Sequence, residues 1–463
     1  MPLRSHSIAT SAKFVALLTE AAPSMRRAAR STIASLCGAL SIALLACGQV
    51  QGENWPQWRG PRGDGISQAK SVPVTWTQTE NVRWRCALPG QGGATPVIWD
   101  DHIFVTSARG EDLVLLCISA KDGSTYWEQK VTSGNQDARA GEGNSASPSP
   151  ATDGQHVWAF FGTGTLACYD YSGKEIWKFE VGDRFGAIDI QFGMTSTPVL
   201  DGDGLYLQLI HGAMKRDDNT RVGKVVRLDK LTGETVWDFD RVTNAEYECK
   251  HSYASPLIYN DGQQKFLIAH GADCTTGHDL QTGKEIWRLD QLNGPSKFTK
   301  EHDATYRFVA SPAAVPGWII VPTAKSGPSI ALNVSDQLKG PKIAESSSVQ
   351  WALPQTPDVS IPLIYEGLVY NLHTDGKLQC IDLQSGKQVY FERTHTVQHR
   401  SSPVVVGGMI YLCGKDGVTS VVKAGRKFEL VATNKLESPI TASPAIAGGT
   451  LYIRTYEALY AIE

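Results

Sequence analysis

No two cysteines are adjacent in this chain, and none of its nine stands in a Cys-x-x-Cys-His run. The second absence excludes covalent c-type haem attachment, and with it a built-in electron acceptor of that kind. Gly-x-Ser-x-Gly is missing, which removes the nucleophile elbow of one large hydrolase class. There is no phosphate-cradling glycine loop and no metal-ligand spacing of His, Cys, Asp or Glu. No apolar run reaches the ~20 residues of a membrane-spanning helix. Charge excess is missing too, with 44 basic against 47 acidic residues. The first 46 residues hold five of the basic and one of the acidic residues, so the remainder has an acidic excess of seven. A mildly acidic body argues against nucleic acid or anionic membrane as a non-specific partner.

What is abundant points to β-structure: 44 Gly supply tight turns and twelve Trp supply large aromatic anchors. The first residues are a different polymer. Arg26, Arg27 and Arg30 precede an apolar run from Thr32 to Ala46, the order of a secretory signal. Met25 is the more natural start of that signal. The run ends in Leu44-Leu45-Ala46-Cys47, which resembles the lipobox of bacterial lipoproteins. The resemblance implies a lipidated N-terminus at Cys47. Gly48 is not the Asp that usually retains lipoproteins at the inner membrane, which leaves outer-membrane sorting open. The reading is three segments: 1–46 signal peptide, 47–80 anchor, linker and Trp-containing arm, and 81–463 the body.

The body repeats itself. A small residue and Pro begin a β-branched or apolar run at Thr95-Pro96, Ser147-Pro148, Thr197-Pro198, Ser255-Pro256, Ser311-Pro312, Ile361-Pro362, Ser402-Pro403 and Ser443-Pro444, 41 to 58 residues apart. Each marker predicts a strand, a turn and three further strands, which is one propeller blade. The turn before each fourth strand carries Gly123, Gly173, Gly233, Gly283 or Gly386, and an aromatic follows four residues later. Those aromatics are Trp127, Trp177, Trp237, Trp287 and Tyr390, with Trp351 and Phe428 filling the place in two degenerate units. A flat ring there wedges between blades and buries ~200 Å². The eighth unit is one strand short, and "NVRWRCALP" at 81–89 is a spare strand carrying Trp84. The expected fold is an all-β, eight-bladed propeller of four-stranded antiparallel blades, its ring closed by pairing the N-terminal strand with the last blade.

This L-x-x-x-T-G-x-x-x-W repeat resembles the PQQ-like β-propeller superfamily. Its members include quinoprotein alcohol dehydrogenases and the propeller lipoproteins of the β-barrel assembly machinery (BamB-like). The arm "NWPQWRGPRGDG" at 54–65 resembles a lead-in of secreted propellers of this group; one reading has it plug or cap a channel mouth, and the expectation is that Trp55 and Trp58 anchor it on the outside of the ring. The resemblance implies two activities. The dehydrogenases hold the quinone PQQ under a disulfide of adjacent cysteines and bind calcium through carboxylate and amide oxygens. Lacking that pair, this chain is expected to be a non-catalytic, monomeric, lipid-anchored scaffold on the periplasmic side of the envelope. Its expected partners are envelope proteins, its contact with membrane is the anchor only, and it takes no cofactor. A PQQ- and calcium-dependent oxidoreductase is one alternative, and a small-ligand or glycan binder is the other.

Residues just before each marker are expected to line one mouth of the axial channel. The candidates are Glu142, Asn144, Gln191, His251, Arg307, His399 and Arg400, a mixed-charge set suited to a small anion, a carboxylate or a sugar. Cys117, Cys168 and Cys380 share one repeat position and read as small apolar filling. Cys249 and Cys274 leave a disulfide open as an alternative to two free thiols.

Overall fold

The computed structural model describes residues 53–463 except 140, 192, 194–195, 213–220, 294–305, 335–337 and 339–346. The signal, Cys47 and the anchor's first residues lie outside the described residues. Within them, eight four-stranded antiparallel sheets follow in sequence. The first blade is Val97–Trp99, His102–Arg109, Asp112–Ser119 and Thr125–Ser133, running from axis to rim. The middle strands are buried on both faces, as in Gly204–Leu209, while the outer strand of the same blade, Thr235–Thr243, alternates. That burial is what stacked blades require, because each middle strand has a neighbouring blade above and below. Among the described residues helix is confined to Val181–Phe185 and a 3-10 turn at Tyr247–Lys250.

The repeated Gly and Trp form one joint. The hairpin glycines have positive φ, from 69° to 86° at Gly123, Gly173, Gly233, Gly283 and Gly386. Each also lies flat under the indole of the preceding blade. A Cβ on Gly123, Gly173, Gly233 or Gly386 would stand 2.6–2.9 Å from Trp84, Trp127, Trp177 or Trp351, and one on Gly283 would press harder into Trp237. The same indoles donate Nε1–H to a carbonyl of the next blade: Trp84 to Ala120 (3.0 Å), Trp127 to Tyr171 (2.9 Å), Trp177 to Lys230 (3.1 Å), Trp237 to Leu280 (3.1 Å) and Trp351 to Leu383 (2.7 Å). Beneath the rings, Cys117, Cys168 and Cys380 sit opposite Trp127, Trp177 and Tyr390 in the sheet register. Their thiols are free and buried, and burial raises the pKa of each. Cys249 and Cys274 are likewise free thiols.

This joint makes a clean prediction. Gly202 and Gly283 both have positive φ, but the space around a Cβ at Gly202 is open while Gly283 lies against Trp237. Gly202→Ala should cost about 1–2 kcal/mol from the backbone alone. Gly283→Ala should add a further ~1–3 kcal/mol of overpacking. Urea midpoints of the two variants test this; equal losses would mean that the close approach is not structural.

Two units depart from the sequence reading. Phe428 does not take the docking place in the seventh blade. Ala432 stands there, opposite Val421, and Phe428 packs back edge-on against Tyr390 at 5.6 Å. The gap is filled by the arm: Trp76 stacks on Tyr411 at 6.3 Å, as Trp127 meets Phe104 and Trp237 meets Tyr206 in their own blades. Asn434 fastens this segment, accepting from Trp76 N–H and donating to the Val74 carbonyl (both 2.9 Å). In the fourth blade Trp287 is buried between blades but turns over Gly277 of its own sheet, and its Nε1 has no partner among the described residues. The fifth unit has Ser347, not Gly, four residues before its aromatic Trp351, so it offers no flat hairpin to receive Trp287.

The ring closes as the chain ends demand. Val82–Ala87 pairs with Ala458–Ile462, with Trp84 opposite Ala461 and Ala87 opposite Ala458. Arg454, 1 % exposed, crosses to the first blade and donates to the carbonyls of Ala94 (3.1 Å) and Thr106 (2.7 Å). The core is therefore not one cluster but a ring of inter-blade cores.

Candidate functional site

The site grows from the markers. Six of the hydroxyls before the Pro accept the backbone N–H of the preceding blade's marker. Thr95 donates to Ser149, Ser149 to Thr197, Thr197 to Ser255 and Ser255 to Ser311, at 2.8–3.2 Å. Ile361 donates to Ser402 and Ser402 to Ser443, at 3.0 and 2.9 Å. The belt breaks between the fifth and sixth blades because Ile361 has no hydroxyl to offer, and between the eighth and first Thr95 Oγ1 instead donates to Ser443 O (3.1 Å). In the second blade the structural marker is Ser149-Pro150, not Ser147-Pro148. The Ser-Pro pair occurs twice there, and the inner strand starts only at Ala151. The sequence reading saw small residues at these positions and missed the donor–acceptor chain.

The arm closes one end of the channel, contrary to the expectation that it packs outside. Trp55 pairs with Ile98 of the first inner strand through two backbone bonds (2.9 and 2.8 Å). Pro56 O accepts from Thr152 (2.8 Å) and Gln57 Oε1 from Leu200 (3.1 Å). Gly65 and Ser67 bracket Val405 of the seventh blade, and Glu53 O accepts from Gly448 of the eighth (3.0 Å). A segment that touches inner strands on opposite sides of the axis must cross the axis. Its pivot is Arg59, 2 % exposed, whose guanidinium reaches the carbonyls of Pro403 and Asp64. Burial, against the pull of Asp64, lowers its pKa to about 10. The short, glycine-rich arm fits there because no side chain at Gly60 or Gly65 obstructs Trp55 and Arg59.

Among the described residues the other mouth is open, and the channel there is a blind well of about 790 Å³. Half-buried Trp58 of the arm forms part of its wall at the closed end, and Ser149, Thr197, Ser402 and Ser443 of the belt line it above. Around the opening stand Glu142, Glu248, Asp358 and Asp375 with Arg307, Lys325 and Arg400. Glu142 arrives on the Asp137–Asn144 hairpin between the first two blades. It lies between Arg400 Nε (2.7 Å) and Lys415 Nζ (3.0 Å). Burial acts to raise the Glu142 carboxyl, but those two cations more than offset it and hold its pKa below the usual range. Arg307 meets Glu248 at 3.0 Å. Asp358, in the left-handed region at φ 66°, is pushed up by burial against the pull of Arg307, Lys325 and Arg400.

Of the sequence candidates, Glu142, Arg307 and Arg400 line the well. Four others do not. Asn144 is buried in its hairpin, donating to Gln91 O (2.9 Å) and accepting from Ala146 N–H (3.0 Å). Gln191 is exposed and outside the well. His251 is buried beside His211 on a β-bridge, and neither ring has a hydrogen-bond partner among the described residues. His399 is fully buried, with Nδ1 2.9 Å from Val397 O. The spacing rule placed the backbone next to the axis but not the direction of each side chain. His251 and Arg307 share a repeat position, yet only Arg307 faces the opening. Glu248, Lys325, Asp358 and Lys415 were missed because they lie on other loops or at other offsets from the markers.

The profile of the family described as outer membrane protein assembly factor BamB matches residues 70–213, 137–389 and 342–463. No curated relative matches by sequence. Among solved structures, BamB from Moraxella catarrhalis superposes with a TM-score of 0.55 at 14% identity, over 80% of this chain and 93% of that one. A europium-containing methanol dehydrogenase superposes with a TM-score of 0.65 at 13% identity, over 88% and 90%. At such identities these likenesses show the fold alone. The profile match extends across the propeller, and by it the chain belongs to the family of the outer membrane protein assembly factor BamB.

Proposed function

We propose that this protein is a non-catalytic scaffold of the cell envelope, held on the periplasmic side by a lipid on Cys47 and docking envelope proteins in a role like outer-membrane protein assembly. The family match over residues 70–463 carries the reading. The geometry agrees with it: charged side chains from loops of several blades make a broad polar face around the open mouth, with Glu142 and Glu248 paired to Arg400, Lys415 and Arg307. A calcium-held quinone, the alternative that the repeat implies, is poorly matched by the side chains present. Among the described residues no three of His, Cys, Asp and Glu converge as a metal's donor set. Glu142 and Glu248 are engaged by cations, and the cysteines are separate buried thiols.

Cross-linking in cells, followed by co-purification from detergent-solubilised envelope, tests the reading. Arg307→Ala with Arg400→Ala removes two always-charged forks from the rim. The fold should survive, because partly exposed ion pairs contribute only about 0–1 kcal/mol each, and captured envelope protein should fall several-fold. Capture of no envelope protein by the parent would defeat the scaffold reading. Unchanged capture by the double variant would move the docking surface away from this mouth. The anchor has its own test. Acyl chains contribute about 0.8 kcal/mol per buried CH₂, so Cys47→Ala should shift the protein from the membrane to the soluble fraction. Unmodified Cys47 by mass spectrometry would remove the anchor from the proposal.

A further inference from the structure

We propose that the blind well binds a neutral sugar, a free saccharide or the end of a glycan chain, with Trp58 as its stacking floor and Asp358 and Lys325 as its hydroxyl-reading pair. The inference is independent of the scaffold reading. It rests first on the shape. The arm closes one end and leaves a volume of about 790 Å³ open at the other, within the ~300–1,000 Å³ of small-molecule sites.

The second ground is what has no protein partner. Glu142 is taken by Arg400 and Lys415, and Glu248 pairs with Arg307. Asp358 and Lys325 also line the well, but no hydrogen bond or ion-pair contact is seen for either among the described residues. Lys325 lies 5.9 Å from the Tyr306 ring centre. A carboxylate that accepts and a solvent-facing ammonium that donates therefore line the same space, with water that a ligand hydroxyl can replace. Adjacent hydroxyls of a sugar ring supply the matching donor and acceptor.

The third ground is charge. An anionic ligand would meet Asp358 and would have to compete with Glu142 and Glu248 for their cations. A neutral polyhydroxyl ligand incurs neither penalty. Its polarised C–H face suits the half-exposed indole of Trp58, because an aromatic face carries partial negative charge.

The test is isothermal titration of the full-length protein in a detergent without a sugar headgroup. The probes are neutral mono- and disaccharides (glucose, galactose, N-acetylglucosamine, maltose, cellobiose), galacturonate and inorganic phosphate. At least one neutral saccharide should bind at millimolar Kd or tighter. Asp358→Asn should weaken it about tenfold or more while melting like the parent, and Trp58→Ala should do the same if it folds. Three results would overturn the proposal: no neutral saccharide binding by the natively melting parent, binding of galacturonate or phosphate alone, or saccharide binding unchanged in Asp358→Asn.

Discussion

Deleting Asn81 to Pro89 should leave a protein that aggregates, or one that melts at least ~10 °C below its parent. The segment is the fourth strand of the eighth blade, pairing Val82 through Ala87 with Ile462 through Ala458. Its loss exposes a strand edge of fully buried residues, an open template for another chain. It also removes Trp84, which stacks on Gly123 and bonds Ala120 across the closing joint. Losing a buried Trp to Ala costs about 3–5 kcal/mol, a large share of the ~5–15 kcal/mol that holds a domain together. Arg454 and the bond from Thr95 Oγ1 to Ser443 O remain across that joint, but neither replaces a strand. Differential scanning fluorimetry and light scattering decide. A deletion variant that stays monomeric and melts with its parent would show that the ring does not depend on this closure.

Acid should unfold the propeller earlier than its balanced surface charge implies. Burial lowers the pKa of His211, His278 and His399 to about 4 each, and that of His270 to about 3. In the unfolded chain these rings titrate near 6.5. Between roughly pH 6.5 and 4 the unfolded state therefore binds more protons than the native one, and stability rises with pH across that window. It is fully present above 6.5 and is lost on acidification. A tenfold weaker hold on the proton in the native state corresponds to about 1.4 kcal/mol, so a ring lowered to about 4 contributes up to ~3 kcal/mol and His270, lowered to about 3, up to ~5 kcal/mol. The four together approach the whole stability of a domain. Urea midpoints at pH 7.5, 6.0 and 5.0 should fall steadily. A midpoint that does not change across that range would mean that these rings carry their protons in the native state.

Much of the fold was legible because a propeller writes its joint once per blade. Gly123 and Trp127, four residues apart, encode a turn and a wedge that local chemistry dictates, and the same pair recurs at Gly173 and Gly386. The spare strand around Trp84 announced itself as the complement of an incomplete last unit. Where the joint is not written in its own blade, the sequence misled. Trp76 serves the seventh blade from 335 residues before Tyr411, and no periodicity links a solitary residue to a repeat it does not belong to. The arm is the same case. Trp55 and Trp58 read as anchors, but only the ring's geometry shows that the anchorage lies across the axis. The well was half legible. Repeat phase placed Glu142, Arg307 and Arg400 near the mouth, and the same rule placed His251 and His399 there although their rings turn into the core. Asp358 was invisible because its position depends on a left-handed backbone within a connecting loop, which repeat phase does not encode.

The most direct measurement is a dye-reduction assay on the purified parent, supplied with PQQ, calcium and a panel of primary alcohols. Glu142 and Glu248 at the well are engaged by cations, no cysteine lines it, and no three of His, Cys, Asp and Glu converge as a metal's donor set among the described residues. A non-catalytic propeller of this kind should reduce the dye no faster with alcohol than without it. Sustained alcohol-dependent dye reduction would contradict that and make this propeller an oxidoreductase.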